Sequence, residues 1–409
     1  MTSVAERLSS YRDALRFSSF QKLLLGQGLS MAGDALCLAA LPLAMLHAGF
    51  SGEIFGFIMA AVGIGTVIGS IAGGVLADRR SPKHVLIATD TARGAAQLVV
   101  ASLIVCGAPS WTLILAYLTF GIGIGVSRPC TQVLLVGLLP KHALAAGNGA
   151  MNFLDNLVAV IFPATLGVLI IVWNPFWGVL IDGVTFLFAA FFTALLPNEG
   201  KLQSNDEFSI GEVLGGISVV ARNRELLLGF LSTLVLNVLC FPVFLVVSPY
   251  AVSARFDATM WGVCLAASGL GACIGSIITV LAAGHRHLKT LALICGLFLG
   301  TAMALLGIGD VPWMVVLGAT FVGIVEASWL TGWATAMQTL SPEKDLGKVV
   351  AVDTFVTSGA HPFIYLGSGL IGQAIGYSHT LTIAAAVSAM GTAAVALFAI
   401  KRRHQGIPT

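Results

Sequence analysis

The chain has 409 residues, of which 57% are hydrophobic and only 10% charged, and its mean hydropathy is +0.94. A soluble domain carries about 25% charged residues, so water is excluded as the main solvent and lipid is implied. The net charge of +2 gives no reason to expect nucleic acid as a partner, and the length allows about a dozen spans of ~20 residues with short loops.

In chain order, the polar, amphipathic start holds no cleavable apolar core, so no signal peptide is expected. Twelve spans follow, near residues 20–46, 54–77, 84–106, 111–134, 145–172, 176–196, 226–250, 260–283, 289–308, 312–337, 350–375 and 379–400. Several contain Gly or Pro, which a membrane bundle tolerates. With the N-terminus inside, 18 of the 21 Lys and Arg residues fall inside, Arg255 falls outside, and Arg93 and Arg128 lie within spans. The positive-inside rule then places both termini in the cytoplasm of a plasma-membrane protein and requires an even number of spans. Seven cysteines (37, 106, 130, 240, 264, 273, 295) are scattered singly and read as small core residues. No cofactor or metal site is expected.

Ionisable groups in hydrocarbon are functional candidates. In the first span Gln27, Ser30 and Asp34 share one helical face, a polar stripe suited to a cavity. Asp34 there either binds and releases a proton or makes a structural hydrogen bond. The second span repeats small residues one turn apart at Gly65, Gly69 and Gly73, a spacing that lets helix backbones approach closely in a bilayer. It ends at Asp78-Arg79-Arg80, followed by Pro82, Lys83 and His84, either as an ordinary helix end or as a latch between helices. In the third span Asp90 and Arg93 stand at i, i+3, simplest as an ion pair joined to the Asp78 loop. Asn148, Asn152 and Asp155 form a stripe in the fifth span, facing the cavity or neighbouring helices. Asp182 and Asp353 lie near span ends and read as packing or gating groups.

The longest loop, about 197–225, divides the chain into an N-terminal six-span half (1–196), a cytoplasmic linker (197–225) and a C-terminal half (226–409). Ser209 to Glu225 reads as an amphipathic helix on the membrane surface. A shift of 206 residues brings Gly65, Ile68, Gly69 and Ser70 onto Gly271, Ile274, Gly275 and Ser276, and Arg80 onto Arg286. Parallel repeats of this kind are a transporter architecture. Asp78 falls on Gly284, so the acid of the loop is not repeated. In the tenth span Glu326, Trp329 and Trp333 share a face. An acid beside two indoles suits an amphiphilic or cationic ligand, or else the indoles pack against neighbours. In the eleventh, His361-Pro362 joins a titratable ring to a freed carbonyl.

With these residues in view, the chain resembles the major facilitator superfamily, whose signature after the second helix is roughly G-x-x-x-D-R-x-G-R-R/K. Gly74, Asp78 and Arg79 match, Lys83 supplies the basic position, and Ser81 and Pro82 depart. The stretches GQGLSMAGDAL, TDTARGA, LLPKHALAAGNGAMNFLDN and LIDGVTFLFAA are similar to the drug:proton antiporter branch, especially its macrolide-efflux-like group. Phe162-Pro163 with Gly167 lacks the first Gly of that branch's fifth-helix pattern.

The resemblance implies an all-α membrane protein of twelve transmembrane helices in two six-helix halves. It also implies a cytoplasmic gate in which Asp78 packs at the start of the eleventh helix, with Arg79 and Lys83 on ion pairs or lipid headgroups. The expected function is proton-coupled export of an amphiphilic drug-like compound by a monomer. Proton coupling falls to Asp34, with Glu326 and His361. Two alternatives stand beside it: uptake of a small metabolite, and a transporter-like lipid scramblase or sensor. No P-loop or GxSxG occurs, so neither ATP-driven transport nor an enzyme is expected.

Overall fold

The computed structural model describes residues 14–140, 143–144, 146–151, 153–155, 157–158, 174–197, 210–281, 288–342 and 345–404. The side chains of a few of these, Asp78 among them, lie outside the description. Regular structure among the described residues is helical throughout. It comprises α1 (Ser18–His47), α2 (Gly52–Arg79), α3 (Pro82–Val105), α4 (Ser110–Leu138) and α5 (Phe176–Ala194). Then come α6 (Ile210–Arg222), α7 (Arg224–Thr233), a π-helical segment (Leu234–Cys240), α8 (Phe241–Arg255) and α9 (Ala258–Leu281). The last four are α10 (Leu288–Ile308), α11 (Pro312–Leu340), α12 (Leu346–Ile375) and α13 (Tyr377–His404).

Ten of the described helices, counting α7 to α8 as one run, are long and apolar enough to cross a bilayer. They coincide with ten expected spans. The third expected span is α3, whose 24 residues include Lys83, Asp90 and Arg93 and which is not among the ten. The fifth lies largely outside the described residues, Asn152, Pro163 and Gly167 included; residues 146–151, 153–155 and 157–158 are helical. Proline opens α3 and α11, where its missing N–H leaves no bond unmade. Gly107 and Gly376 follow α3 and α12 with φ of 63° and 94°, a left-handed backbone that favours glycine.

The chain forms two compact units. The first holds α1, α2 from Ala61 onward, and α3 to α5. In it α5 packs against both α1 and α3. Contact is close because a Cβ at Gly26 would meet Ala189, one at Gly33 would meet Asp182, and one at Gly94 would meet the Gly183 carbonyl. The glycines of α2 work as their spacing predicts. A Cβ on Gly65, Gly69 or Gly73 would run into the α4 backbone at Leu118, Ile122 and Val126.

The second unit holds Gly49–Ala60 and everything from Ser209 on. Here the repeated device recurs, with Gly271 and Gly275 of α9 against the Thr320 and Ile324 carbonyls of α11. The start of α2 packs in this unit. Gly52 N donates to the Tyr377 hydroxyl at 2.9 Å, and Gly56 lies against Gly369. Arg255 closes the end of α10 by donating to the carbonyls of Leu306, Gly307 and Gly309, a cation at the negative end of a helix. In the loop before α9, the Asp257 carboxylate accepts from Thr259 Oγ1 at 2.5 Å and Met260 N at 2.9 Å. These bonds hold it below the usual carboxylate range.

The expected amphipathic helix 209–225 is divided. Asn223 ends α6 and caps α7, its Oδ1 accepting from the N–H groups of Glu225 and Leu226. Gly216 of α6 rests against the Lys348 carbonyl and Val352 of α12.

Candidate functional site

A cavity of about 570 Å³ opens within the first unit, lined by Gln27, Ser30, Met31 and Asp34 of α1, Arg93 of α3, Ile124, Ser127, Arg128, Pro129, Thr131 and Gln132 of α4, and Met151 and Asp155. The α1 stripe reaches it because Gln27, Ser30 and Asp34 recur at the helical period. Arg93 Nη2 donates to both Asp34 oxygens, at 2.9 and 3.1 Å. The guanidinium carbon lies over two rings set at 78° to each other, 3.9 Å from the Phe186 centroid and 4.8 Å from that of Phe120. The Arg93 side chain is 6% exposed and that of Asp34 39%. One partner is therefore locked in packing and the other faces the cavity. A proton or a cationic group arriving there competes with Arg93 for the same carboxylate. Arg128 and Asp155 also line the cavity and are exposed.

Behind the pair lies a buried polar cluster. Arg93 Nη1 is 4.0 Å from Asp90 Oδ1, so the expected i, i+3 pair exists as the looser contact and Asp34 is the principal partner. Gln97 Nε2 reaches Asp182 Oδ2 at 2.5 Å and Cys37 Sγ at 3.2 Å, and Cys37 Sγ lies 3.8 Å from the Tyr117 hydroxyl. Gln97, Phe120 and Phe186 were missed from sequence. Their only signal is helical phase: Gln97 falls one turn beyond Arg93.

The remaining candidates of the first half are placed apart from this cavity. Asn148 is exposed and bonds its own helix, Nδ2 to the Leu144 carbonyl at 3.1 Å. The Lys83 ammonium is 2.5 Å from the Leu196 carbonyl, and that side chain is buried. It caps the end of α5, as suits a cation there. Gly74 is exposed and a Cβ on it would touch nothing within 4 Å, so no close approach requires it. Arg79 is exposed. Asp90 and Arg93, expected with the gate, join the Asp34 cluster.

In the second unit Trp329 and Trp333 stack at 6.1 Å between centroids and 7° between planes. Both are buried, with Nε1 donating to Thr233 Oγ1 at 3.1 Å and to Asp353 Oδ1 at 2.9 Å respectively. The space beside Glu326 and Trp329 is about 10 Å³, room for roughly one water. The indoles in this structure are packing groups, not the open wall of a ligand box. Glu326 and His361 converge on the π-helical segment. Asn237 lines the small void beside Glu326, and its carbonyl lies 3.3 Å from His361 Nε2. Asn237 was also missed. Its signal is Pro242: Phe241 N, four residues beyond Asn237, reaches back to Leu236 instead, and Pro242, five beyond it, has no N–H to offer the Asn237 carbonyl.

The profile of the Major Facilitator Superfamily matches residues 23–360. No curated protein matches the chain in sequence. Among solved structures the chain is similar to the nucleoside transporter NupG, with TM-score 0.71, 14% identity, and 93% of this chain and 98% of that one covered. It is also similar to a POT family transporter in complex with a thioalcohol-conjugated peptide, at 0.69 and 15%, covering 93% and 96%. A third is a bacterial homologue of the iron transporter ferroportin in its inward-facing state, at 0.65 and 18%, covering 92% and 97%. Identities this low speak for the fold alone. With most of its length inside the family profile, the chain belongs to the Major Facilitator Superfamily: it is a multi-pass secondary transporter and not an enzyme.

Proposed function

We propose that the protein is a proton-coupled exporter of amphiphilic, drug-like or natural-product compounds, of the drug:proton antiporter branch and its macrolide-efflux-like group. The observation that carries this reading is the Asp34–Arg93 pair at the wall of the 570 Å³ cavity, with one carboxylate face open to it. Protonating Asp34 removes its charge, loosens Arg93 and changes the field felt by a cation in the cavity. Met31, Ile124 and Met151 offer apolar contact beside these charges. The protein works as a monomer in the plasma membrane with both termini cytoplasmic, moving its substrate by alternating access. Glu326 and His361 are secondary coupling groups, and Asp78 with Arg79 and Lys83 forms the cytoplasmic latch.

Uptake of ethidium into energised everted vesicles, with and without a protonophore, tests this. Wild-type protein is expected to drive accumulation that the protonophore stops, and Asp34→Asn to lose it. Intact proton-driven accumulation in Asp34→Asn overturns the assignment.

A second reading, uptake of a small polar metabolite, is supported by charges of both signs, Arg128 and Asp155, on the cavity wall. Counterflow of nucleosides and dipeptides in proteoliposomes distinguishes it, since an exporter of amphiphiles gives none.

A further inference from the structure

We propose that Asp182, partnered by Gln97, is a second proton-carrying group, linked to Asp34 through Arg93. Asp182 is wholly buried on α5. Among the described residues its Oδ1 has no hydrogen-bond partner, and it lies against Gly33, where a Cβ would come within 2.6 Å. The carboxyl meets only neutral groups, the Gln97 amide at 2.5 Å from Oδ2 and the Cys37 thiol beside it.

The groups facing it can be named by element. From α1 come Asp34 and Cys37, from α3 come Arg93 and Gln97, with Asp90 on the far side of Arg93, and from α4 comes Tyr117. Three carboxyls thus surround one guanidinium, and that guanidinium is bonded to Asp34. A carboxylate buried without a bonded cation is strongly disfavoured, whereas a neutral carboxyl is not. Turning the Gln97 amide over presents Oε1 as acceptor for a proton on Asp182.

The arrangement allows an exchange. A proton entering from the cavity binds an Asp34 oxygen and neutralises it. Arg93, whose Nε has no partner in the present state, is then free to favour a charged Asp182, and the Asp182 proton leaves. One proton enters, one leaves, and the net charge of the cluster is unchanged. The role in transport rests on the proton-coupled reading; the proton on Asp182 does not.

Infrared difference spectroscopy of the full chain in nanodiscs at neutral pH, in H2O and D2O, separates the two. Wild-type protein is expected to show a protonated-carboxyl C=O band that Asp182→Asn loses, and Asp34→Asn, which leaves Arg93 free to favour a charged Asp182, to weaken it. In Gln97→Leu the same band shifts to higher frequency, which keeps the assignment testable if Asp182→Asn does not fold. An unchanged band in Asp182→Asn overturns the proposal. So does loss of the band with protonophore-sensitive ethidium accumulation left intact. Absence of ethidium transport in the wild type instead sinks the substrate reading, and the band still decides for Asp182.

Discussion

Arg93 is held from several sides, by two aromatic faces, by Asp34 and, more loosely, by Asp90. Removing one partner of a buried ion pair leaves an uncompensated charge and costs about 3–5 kcal/mol. Asp34 is partly exposed, so Arg93→Met is expected to destabilise by the low end of that range, about 3 kcal/mol. Arg93→Lys restores the charge but not the contact with both rings or the fork of donors, so it should recover only part. The denaturation midpoint of purified protein in detergent measures both, and a Met variant as stable as wild type would mean the pair is not ionised. The α1 stripe was legible in sequence because period alone places Gln27, Ser30 and Asp34 on one face. So was the Asp90–Arg93 contact, which is local. The stronger bond, from Arg93 to Asp34, joins residues 59 apart, and no local spacing encodes a pairing between helices. Trp329 and Trp333 show the reverse case. Their shared face was correct, but burial and their bonds to Thr233 and Asp353 depend on what packs opposite.

At the scale of elements, small-xxx-small spacing predicted close helix contact in both copies of the repeat, and α2 on α4 and α9 on α11 show it. The family signature adds a contrast that can be measured. Gly74 belongs to the signature yet stands in open space, while Gly69 is outside it yet has the Ile122 carbonyl where its Cβ would go. Gly69→Ala must push two backbones apart and is expected to cost about 1–3 kcal/mol, whereas Gly74→Ala is expected to change stability little. Thermal unfolding of the two variants side by side checks this, and equal losses would contradict the packing account. The seventh expected span was readable as one apolar run but not as α7, a π-helical segment and α8. Hydropathy is blind to which carbonyl an N–H chooses; only Pro242 hinted at the change. Likewise Asn223 was folded into one amphipathic helix, although its side chain serves as the cap that starts a new one.

For the whole molecule, composition alone forced lipid as the solvent, and the distribution of Lys and Arg gives an expected orientation. The division at 197–225 follows the longest loop, but compact contact assigns Gly49–Ala60 to the second unit. Gly52 and Gly56 meet Tyr377 and Gly369 far along the chain, and loop length carries no trace of such contacts. Orientation can be tested with a residue the chain already contains. Cysteines 37, 130, 240, 264 and 295 are buried, as expected of small core residues, but Cys106 is exposed at the end of α3. An accessible thiol reacts through its thiolate, and a buried one in apolar surroundings is inert. With the N-terminus inside, the third span runs outward and Cys106 faces the exterior. A membrane-impermeant maleimide is therefore expected to label intact cells expressing the wild-type chain, and Cys106→Ser to lose that label. Everted vesicles should resist the reagent at this position. If they label and intact cells do not, the chain lies the other way round, and the 18 cations placed inside would face out against the bias that the positive-inside rule describes.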